Sequence, residues 1–136
     1  MIQRSLVLVK PDGVRRSLIG EVIKRSESRT FTIVAMRMLQ MDAEMAKRHY
    51  EEHLQKPFFP ELLSFITSGP LVAMCVEGEE AIATLRTMMG ATNPLQAAPG
   101  TIRGDLAHIT TENIVHGSDS AGSAERELSI FFPDLQ

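Results

Sequence analysis

Ser5-Leu6-Val7-Leu8-Val9, a run of mostly aliphatic residues followed by Lys10-Pro11, is the stretch that decides the fold. A short aliphatic run with β-branched residues favours a strand. Pro11 ends the run because proline lacks the amide proton that a continuing ladder requires. The stretch therefore predicts a first strand at the centre of a sheet.

The segments that follow predict a helix, a strand and another helix. Between Leu18 and Ser28, apolar residues recur at helical spacing against charged ones, which indicates an amphipathic helix. The β-branched content of residues 30–40 predicts a second strand. Asp42 is a suitable N-cap for a helix from Ala43 to about His53, because its carboxylate can accept hydrogen bonds from free amides of the first turn.

The second half of the chain predicts a similar alternation around one long irregular segment. A helix over 61–67 precedes a turn and a strand over 71–77, and a further helix covers 79–89. Residues 91–120 show little periodicity, and loops of that length are usually functional or disordered. A short helix over 121–127 and a last strand over 128–132 complete a βαββαβ order.

Size, composition and charge exclude several classes of protein. A chain of 136 residues, 43% of them hydrophobic, suits a single domain over 1–136. No apolar stretch approaches the roughly 18 residues that cross a bilayer, and the start lacks a secretory-signal pattern, so a cytoplasmic location is expected. A net charge of -3 without a basic tract argues against a nucleic-acid partner. The single cysteine, Cys75, lies in an apolar run and predicts a plain core residue.

One histidine stands among residues that suit a reactive imidazole. It lies in Asn113-Ile114-Val115-His116-Gly117-Ser118-Asp119-Ser120. An imidazole has an unperturbed pKa of about 6.5 and keeps a free nitrogen lone pair at neutral pH, so it can act as a nucleophile. Gly117 leaves room beside the ring, and the neighbours supply hydroxyl and carboxylate groups but no thiol or second histidine for a metal. The stretch therefore predicts a phosphoryl-accepting histidine.

Four more motifs accompany the histidine motif. They are Lys10-Pro11-Asp12-Gly13, Lys56-Pro57-Phe58-Phe59, Gly90-Ala91-Thr92-Asn93-Pro94 and Gly100-Thr101-Ile102-Arg103-Gly104-Asp105. With these five motifs in order, the chain resembles the nucleoside diphosphate kinase family from about Arg4 to Phe132. The resemblance implies a ferredoxin-like fold of the α+β class, with a four-stranded antiparallel sheet, helices on one face and a long functional loop before the histidine.

The resemblance also implies a chemistry in two half-steps. His116 would take the terminal phosphate of a nucleoside triphosphate on Nδ1 and pass it to a nucleoside diphosphate of another base. Glu127 would accept a hydrogen bond from the other ring nitrogen, which fixes the tautomer and stabilises the developing positive charge. Ser118 and Tyr50 would stand beside the ring as donors near the phosphoryl group.

Side chains are expected to hold the nucleotide, because the sequence has no glycine-rich loop ending in Gly-Lys-Ser or Gly-Lys-Thr. The matched nucleotide ligands are phosphate-binding Arg86, Thr92 and Arg103, His53 near the α-phosphate, Lys10 and Asn113 at the sugar hydroxyls, and Phe58 under the base. Guanidinium groups can engage two phosphate oxygens at once. Stacking accepts every base because each base has a π-face.

Two further expectations concern cofactor and assembly. Mg²⁺ would be carried by the nucleotide phosphates, because it prefers phosphate oxygens and water, and no His or Cys spacing argues for a protein-held metal. Members of the family assemble as hexamers or tetramers, so a homo-oligomer is expected. The partners are ATP and other nucleoside tri- and diphosphates, with no membrane partner.

Three positions depart from the family pattern. Thr30 stands where most members carry glycine after the first long helix, and a β-branched residue is strained at positive φ, so a shifted helix end is predicted. Thr110 stands where an apolar contact with the base is common, which predicts weaker base affinity. Gly122 replaces a frequent acidic residue and is expected to loosen its helix by about 1 kcal/mol.

Two other functions fit parts of the sequence. In one, His116 is a phosphocarrier that hands the group to another protein, which would need no base platform or ribose contacts. In the other, the chain is a non-catalytic scaffold on the same fold. The platform and ribose residues argue against the first alternative, and the full set of charged site residues argues against the second.

Overall fold

The computed structural model describes residues 1–136, which are built around a four-stranded sheet. The strands are β1 (Ile2–Val9), β2 (Thr32–Leu39), β3 (Leu71–Glu79) and β4 (Val115–Gly117). They lie in the order β2-β3-β1-β4, and every neighbouring pair is antiparallel. The predicted fold class is confirmed, and β1 is a central strand, as its aliphatic run predicts.

Seven α-helices connect and cover the strands. They are α1 (Pro11–Arg15), α2 (Ile19–Ser28), α3 (Ala43–His49), α4 (Phe59–Ile66), α5 (Ala81–Met89), α6 (Ile102–Leu106) and α7 (Ala121–Phe131), with short 3-10 helices at Glu51–His53 and Pro94–Gln96. The predicted cap of α3 is present, since the Asp42 carboxylate accepts a hydrogen bond of 2.8 Å from the Met45 amide. None of the helices combines the length and the apolar character that a bilayer crossing requires.

Both faces of the sheet are covered, so the expectation of helices on one face is wrong. Val7 and Val9 pack with residues of α2 and α5 on one side. Leu6 and Leu8 pack with residues of α3, α4 and α7 on the other side. The cause is visible in β1 itself, because its aliphatic residues are consecutive and supply an apolar surface to both faces.

The C-terminal end is a helix and not the predicted strand over 128–132. Helix α7 runs without a break to Phe131, and its buried residues are Ala124, Glu127, Ile130 and Phe131. These positions recur at helical spacing, which outweighs the local β propensity of the aromatic pair. The fourth strand is β4, inside the segment predicted to be irregular.

The predicted shift of the helix end at Thr30 is also wrong. Helix α2 ends in a regular Schellman motif, in which the Thr30 amide donates to the Glu27 carbonyl at 2.9 Å and the Phe31 amide donates to the Ser26 carbonyl at 3.1 Å. Thr30 itself has φ of 72°. A β-branched residue therefore occupies the left-handed position that favours glycine.

One smaller boundary differs on the way to the site. The helix predicted over 79–89 begins at Ala81, because Glu79 still belongs to β3 and Glu80 has φ of 48° at the turn. The C-terminal end of this helix carries Arg86, as predicted. Arg86 lies near β4, where its guanidinium donates to the Gly117 carbonyl at 3.1 Å.

Candidate active site

His116 lies in the middle of β4, at the register position opposite Leu8 of β1. Paired residues of adjacent strands point to the same face, so the imidazole projects toward the side of the sheet that α3 and α7 cover. Its side chain is 21% exposed. The ring is therefore held by the sheet and still reachable from a cleft.

The cleft has a volume of about 690 Å³ and collects most of the predicted site residues. Its lining includes Lys10, Tyr50, His53, Phe58, Arg86, Thr92, Arg103, Asn113 and His116. These residues come from separate parts of the chain, and the fold brings them together as the sequence predicts. Their roles in binding and catalysis remain predictions. Glu127 and Ser118 are not part of this lining.

Glu127 stands behind the imidazole. Its Oε2 lies 3.2 Å from Nε2 of His116, although the N–H direction falls outside hydrogen-bond geometry, so the contact is a close polar pair. Burial raises the pKa of Glu127, but His116 and Ser118 lower it by more, and the carboxyl pKa ends below its usual value. Glu127 is therefore an anion placed against the ring.

The Ser118 hydroxyl is hydrogen-bonded to Glu127 and is not available to donate to a phosphoryl group on His116. Its hydroxyl donates to Oε1 of Glu127 at 2.6 Å and accepts from the Leu6 amide at 3.0 Å. The serine is fully buried. The structure thus corrects the predicted place of Ser118, which orients the carboxylate because its buried hydroxyl is already engaged in these two hydrogen bonds.

Two aromatic residues of the α3 end support the histidine. Tyr50 is buried, and burial raises the pKa of its phenol well above the usual value, so the hydroxyl keeps its proton. The His49 ring lies 4.9 Å from the His116 ring in an edge-to-face arrangement. Burial, with a smaller effect from His116, lowers the pKa of His49 to about 3. His49 is therefore neutral and adds no charge beside the reactive ring.

The two arginines of the cleft differ in how firmly the protein holds them. Arg103 is 7% exposed and donates to the carbonyls of Asn113, Gly90 and Val115 at 3.2, 2.8 and 2.6 Å. Burial and the charge of Arg86 lower the pKa of Arg103 to about 10, so it stays charged at neutral pH. Arg86 is exposed and makes its one backbone hydrogen bond to Gly117.

Lys10 and Asn113 form a polar pair at the end of β1. The Lys10 ammonium donates to Oδ1 of Asn113 at 2.8 Å, and the Asn113 amide donates to the Thr92 carbonyl at 2.9 Å. Burial and the charge of Arg103 lower the pKa of Lys10 to about 8, while Asp12 raises it. The pair can offer a cation and an amide to a bound molecule, but part of the cation is lost at alkaline pH.

The other end of the cleft is open. Phe58 is 49% exposed, and the Lys56 ammonium lies 5.8 Å from the centre of its ring. Residues 110–112 are exposed and line the cleft with it. A flat aromatic surface that is half exposed can receive a planar group by stacking.

Several lining residues were missed by the sequence analysis. They are Glu61, Leu62, Phe65, Thr111, Glu112 and Val115. Phe58, Leu62 and Phe65 are four and three residues apart, so helical spacing could have placed them on one face. His49 was missed as well, although it lies three residues after Ala46, which is buried on the same helix face.

One group of side chains has the composition of a metal site. Ligand atoms of His49, His116 and Glu127 lie within 4.8 Å of one another. One Glu127 oxygen already accepts from Ser118, and the guanidinium of Arg126 lies 3.9 Å from the other. The carboxylate is therefore engaged by a donor and a cation, and the arrangement favours orientation of the His116 ring.

The sequence and the fold match known proteins over nearly the whole chain. The family model described as nucleoside diphosphate kinase matches residues 3–136. A nucleoside diphosphate kinase of Thermobifida fusca (strain YX) is 61% identical over 134 residues, which are 98% of this chain and 99% of the relative. One from Archaeoglobus fulgidus is 59% identical over 133 residues, which are 98% of this chain and 88% of the relative.

A solved structure agrees with both. The halophilic nucleoside diphosphate kinase from Halobacterium salinarum in complex with CDP superposes with a TM-score of 0.96 at 48% identity, covering 98% of this chain and 90% of that one. The match in sequence, fold and motif order decides against the scaffold and protein-phosphocarrier alternatives. This chain belongs to the nucleoside diphosphate kinase family, enzymes that transfer phosphate between nucleotides by a ping-pong mechanism.

Proposed function

We propose that His116 carries the phosphoryl group between the two half-reactions. The observation that supports this most directly is a partly exposed imidazole at a cleft, with the Glu127 carboxylate 3.2 Å from Nε2. Because Nε2 faces the carboxylate, Nδ1 is the nitrogen with a free lone pair. Nδ1 attacks the terminal phosphorus, the bond from that phosphorus to the bridging oxygen breaks, and the diphosphate leaves with the electron pair.

Charge at the phosphate end is the second part of the proposal. Phosphorylation makes the imidazole cationic, and the Glu127 anion behind it offsets that charge. Arg86, Arg103 and Thr92 receive the phosphate oxygens, and His53 lies toward the α-phosphate. Two hydrogens of the Arg103 guanidinium remain after its three backbone bonds, so it can still donate to a phosphate while staying fixed.

The sugar and the base occupy the open half of the cleft. Lys10 and Asn113 would meet the sugar hydroxyls, and Lys10 also lies toward the β-phosphate. Phe58 would stack on the base and accept any base, which gives the broad base specificity that a donor and an acceptor of different bases require. The Halobacterium salinarum relative binds CDP, which agrees with a nucleotide in this cleft.

The divalent cation is proposed to be Mg²⁺ held on the nucleotide phosphates. The carboxylates that line the large cleft are Glu61 and Glu112, and both accompany Phe58 at its open end. The phosphate end instead presents the cations of Arg86 and Arg103. This donor set fits an ion that brings its own oxygen ligands from phosphates and water, and Mg²⁺ neutralises phosphate charge when bound in that way.

Residues 1–136 are proposed to form one catalytic domain that acts in the cytoplasm as a homo-oligomer, a hexamer or a tetramer. The substrates, ATP and other nucleotides, support the location. The edge strand β2 supports assembly, since Met36 and Met38 are 53% and 58% exposed beside an unpaired strand edge. A second copy can cover both the edge and these side chains.

The test is transfer from ATP to a second diphosphate. The parent is incubated with γ-labelled ATP and CDP, and label is followed on the protein and on CTP. We expect His116→Gln to form no labelled protein and no CTP, while His108→Gln, a change of an exposed histidine outside the cleft, keeps both. Unchanged transfer by His116→Gln would overturn the assignment, and a parent without transfer would overturn the activity.

A further inference from the structure

Asp12 is a buried acid for which the phosphoryl-transfer mechanism has no use. It is 4% exposed and sits in the first turn of α1. One of its oxygens, Oδ2, accepts from the Ile114 amide at 3.1 Å, whereas Oδ1 is buried without a hydrogen-bond partner. Burial is costly for a carboxylate and raises the pKa of Asp12. A neutral side chain would therefore be less costly to bury at this position than the Asp12 carboxylate.

Its partner, Ile114, has a backbone that is unusual for its residue type. Ile114 is fully buried and has φ of 72°. The Val115 amide donates to the Asn113 carbonyl at 2.8 Å, across Ile114. A bond between residues two apart, with positive φ in the middle, defines the classic γ-turn, which is rare and strained even before a β-branched side chain is added. Such backbones persist only where the surroundings hold them.

The carbonyls of this γ-turn have donors from several elements. The Lys10 amide donates to the Ile114 carbonyl at 2.7 Å, and Arg103 donates to the carbonyls of Asn113 and Val115. The Ile114 amide, at the centre of the turn, donates to the Asp12 carboxylate. Asp12 is thus the acceptor for the amide of the central residue of the turn.

Close packing reinforces this contact. A Cβ added at Gly13 would lie 3.0 Å from Cγ2 of Ile114 and 3.3 Å from its carbonyl oxygen. The start of α1 therefore lies directly against the turn, and glycine is the residue that permits the approach. Lys10, Asp12 and Gly13, three of the four residues of one sequence motif, all contact Ile114.

The turn sets the relation between two parts of the cleft. Asn113 precedes it and is fixed to Lys10 and to the Thr92 carbonyl. Val115 follows it and begins β4, which carries His116. A change in the Ile114 backbone would therefore move Asn113 relative to His116.

We propose that Asp12 is a positioning residue for phosphoryl transfer, which acts by accepting the Ile114 amide and so holding the γ-turn between Asn113 and His116. The proposal rests on the function proposed above for these two residues. It assigns Asp12 no contact with the nucleotide, so its effect is expected on the rate of the chemical step more than on nucleotide binding.

The first experiment compares Asp12→Ala with Asp12→Asn. Asparagine keeps an acceptor oxygen at the same place, whereas alanine removes it. The rate constant for phosphorylation of His116 at saturating ATP is measured by rapid quench at pH 6.5, where Lys10 is protonated. We expect at least a tenfold loss for Asp12→Ala and less than a threefold loss for Asp12→Asn. Equal rates in Asp12→Ala and the parent, or equal losses in both variants, would overturn the proposal.

A matched control separates positioning from general destabilisation. Asp42→Ala removes another acidic acceptor of a backbone amide, at the start of α3 and outside the cleft. We expect Asp42→Ala to lower the midpoint of thermal unfolding without lowering the phosphorylation rate constant. A rate loss in Asp42→Ala as large as in Asp12→Ala would mean that stability alone explains the effect, and the proposal would fail.

A second variant covers the case in which Asp12→Ala does not fold. Glycine adopts positive φ without strain, so Ile114→Gly needs less support at this amide. We expect the pair Asp12→Ala/Ile114→Gly to fold and to lose less than threefold in the phosphorylation rate constant relative to Ile114→Gly alone. A loss of tenfold or more in the pair, or failure of the pair to fold when Ile114→Gly folds, would overturn the proposal.

A third measurement does not depend on activity. Hydrogen exchange of the Ile114 amide, followed by NMR, is expected to be slow in the parent, because the amide is held by Asp12. It is expected to be at least tenfold faster in Asp12→Ala, which removes the acceptor, and unchanged exchange in Asp12→Ala would overturn the proposal. Fast exchange in the parent would overturn the proposal even if His116 is the correct phosphate carrier.

Discussion

The two ends of the cleft are built in opposite ways. At the phosphate end Arg103 and Glu127 are tied to the protein, Arg103 through three backbone carbonyls and Glu127 through Ser118. At the base end Phe58 is half exposed, and residues 110–112 opposite it are exposed. Chemistry that stabilises a particular charge pattern requires fixed groups, whereas recognition of any base requires only a surface. The following variants test whether the chemical step depends on the fixed groups at the phosphate end and nucleotide binding on the exposed surface at the base end.

Replacement of Arg103 should have the largest effect, because its guanidinium links the Gly90 carbonyl to the carbonyls of Asn113 and Val115. Arg103→Met leaves the carbonyls of Gly90, Asn113 and Val115 without their donor. We expect a loss of about 3 kcal/mol in the free energy of unfolding, measured by urea denaturation. We also expect kcat/KM to fall by roughly 100-fold or more, since one charge donor to the transferring group is removed.

Arg86→Met is the matched variant for that change. Arg86 is exposed and has one backbone bond, so the free energy of unfolding should fall by only about 1 kcal/mol. Its loss in kcat/KM should be of the same order as that of Arg103→Met. Equal destabilisation by the two variants would show that the backbone bonds of Arg103 do not anchor the site.

The next effect concerns the anion behind the imidazole. Glu127→Gln keeps the shape but removes the charge that offsets a phosphorylated, cationic ring. We expect kcat to fall by about 10- to 100-fold, with KM changed by less than about threefold, because the nucleotide does not touch this side chain. Steady-state kinetics with ATP and CDP measure both quantities. A rise in KM with kcat unchanged would place Glu127 in nucleotide binding instead.

Alkaline pH should weaken nucleotide binding through Lys10. Its folded-state pKa is lowered to about 8, so the free enzyme loses this cation as pH rises above that value. We expect kcat/KM to fall by about tenfold per pH unit at higher pH, because kcat/KM reports ionisation of the free enzyme. Lys10→Met should have low activity without this descending limb. The same limb in Lys10→Met would assign it to another group.

Stability should respond to Lys10 in the opposite sense. The unfolded lysine has a pKa of about 10.4, so between about pH 8 and that value the unfolded chain binds more protons than the folded one. The contribution of Lys10 to the free energy of unfolding therefore rises with pH in this window. The cation that serves the nucleotide is thus one that the folded protein holds at a cost.

The base end should behave differently when its aromatic surface is removed. Phe58→Ala should raise KM for nucleotides by about tenfold, in line with roughly 1–3 kcal/mol for stacking on one base. The increase should be similar for ADP, GDP, CDP and UDP. The free energy of unfolding should change by less than about 0.5 kcal/mol, because the ring is half exposed.

The adjacent phenylalanine provides the control for Phe58. Phe59, the first residue of α4, is 7% exposed and packs in the core beneath the sheet. Phe59→Ala should lower the free energy of unfolding by about 3 kcal/mol or more. A KM increase confined to one base in Phe58→Ala would show that the ring selects bases and does not merely support them.

The sequence predicts the cleft better than it predicts the path of the chain that builds it. The aliphatic runs of β1 and β3 suffice to place both strands, because burial dictates their composition. The short strand β4 escapes detection, since Val115, His116 and Gly117 have no strand pattern and their pairing comes from β1. The segment over 128–132 has strand-like residues, but its helix is fixed by packing of Ile130 and Phe131 against the sheet.

Strain and hydrogen-bond partners are the least visible features in the sequence. The γ-turn at Ile114 depends on an acid about a hundred positions away and on Arg103. Ser118 carries a hydroxyl that could donate a hydrogen bond to a phosphoryl group, yet this hydroxyl is buried and donates to Glu127 instead. Both cases depend on how separate elements pack together, so neither has a local pattern that predicts it.

Thr30 offers the smallest and cleanest contrast, because it shares positive φ with Ile114 but lies outside the cleft. It is exposed at the end of α2, and no functional side chain depends on its backbone. We expect Thr30→Gly to raise the free energy of unfolding by about 1 kcal/mol, measured by urea denaturation, because relief of strain outweighs the added freedom of the unfolded chain. Activity should not change.

Ser28→Gly is the matched variant, two residues earlier and inside the last turn of the same helix. There the backbone is helical, so glycine should lower the free energy of unfolding by up to about 1 kcal/mol. Opposite signs at the two positions would show that the strain at Thr30 is incidental and removable. If Thr30→Gly instead lowered activity while raising stability, backbone strain outside the cleft would also contribute to function. The conclusion that function depends on fixed groups only at the phosphate end would then be wrong.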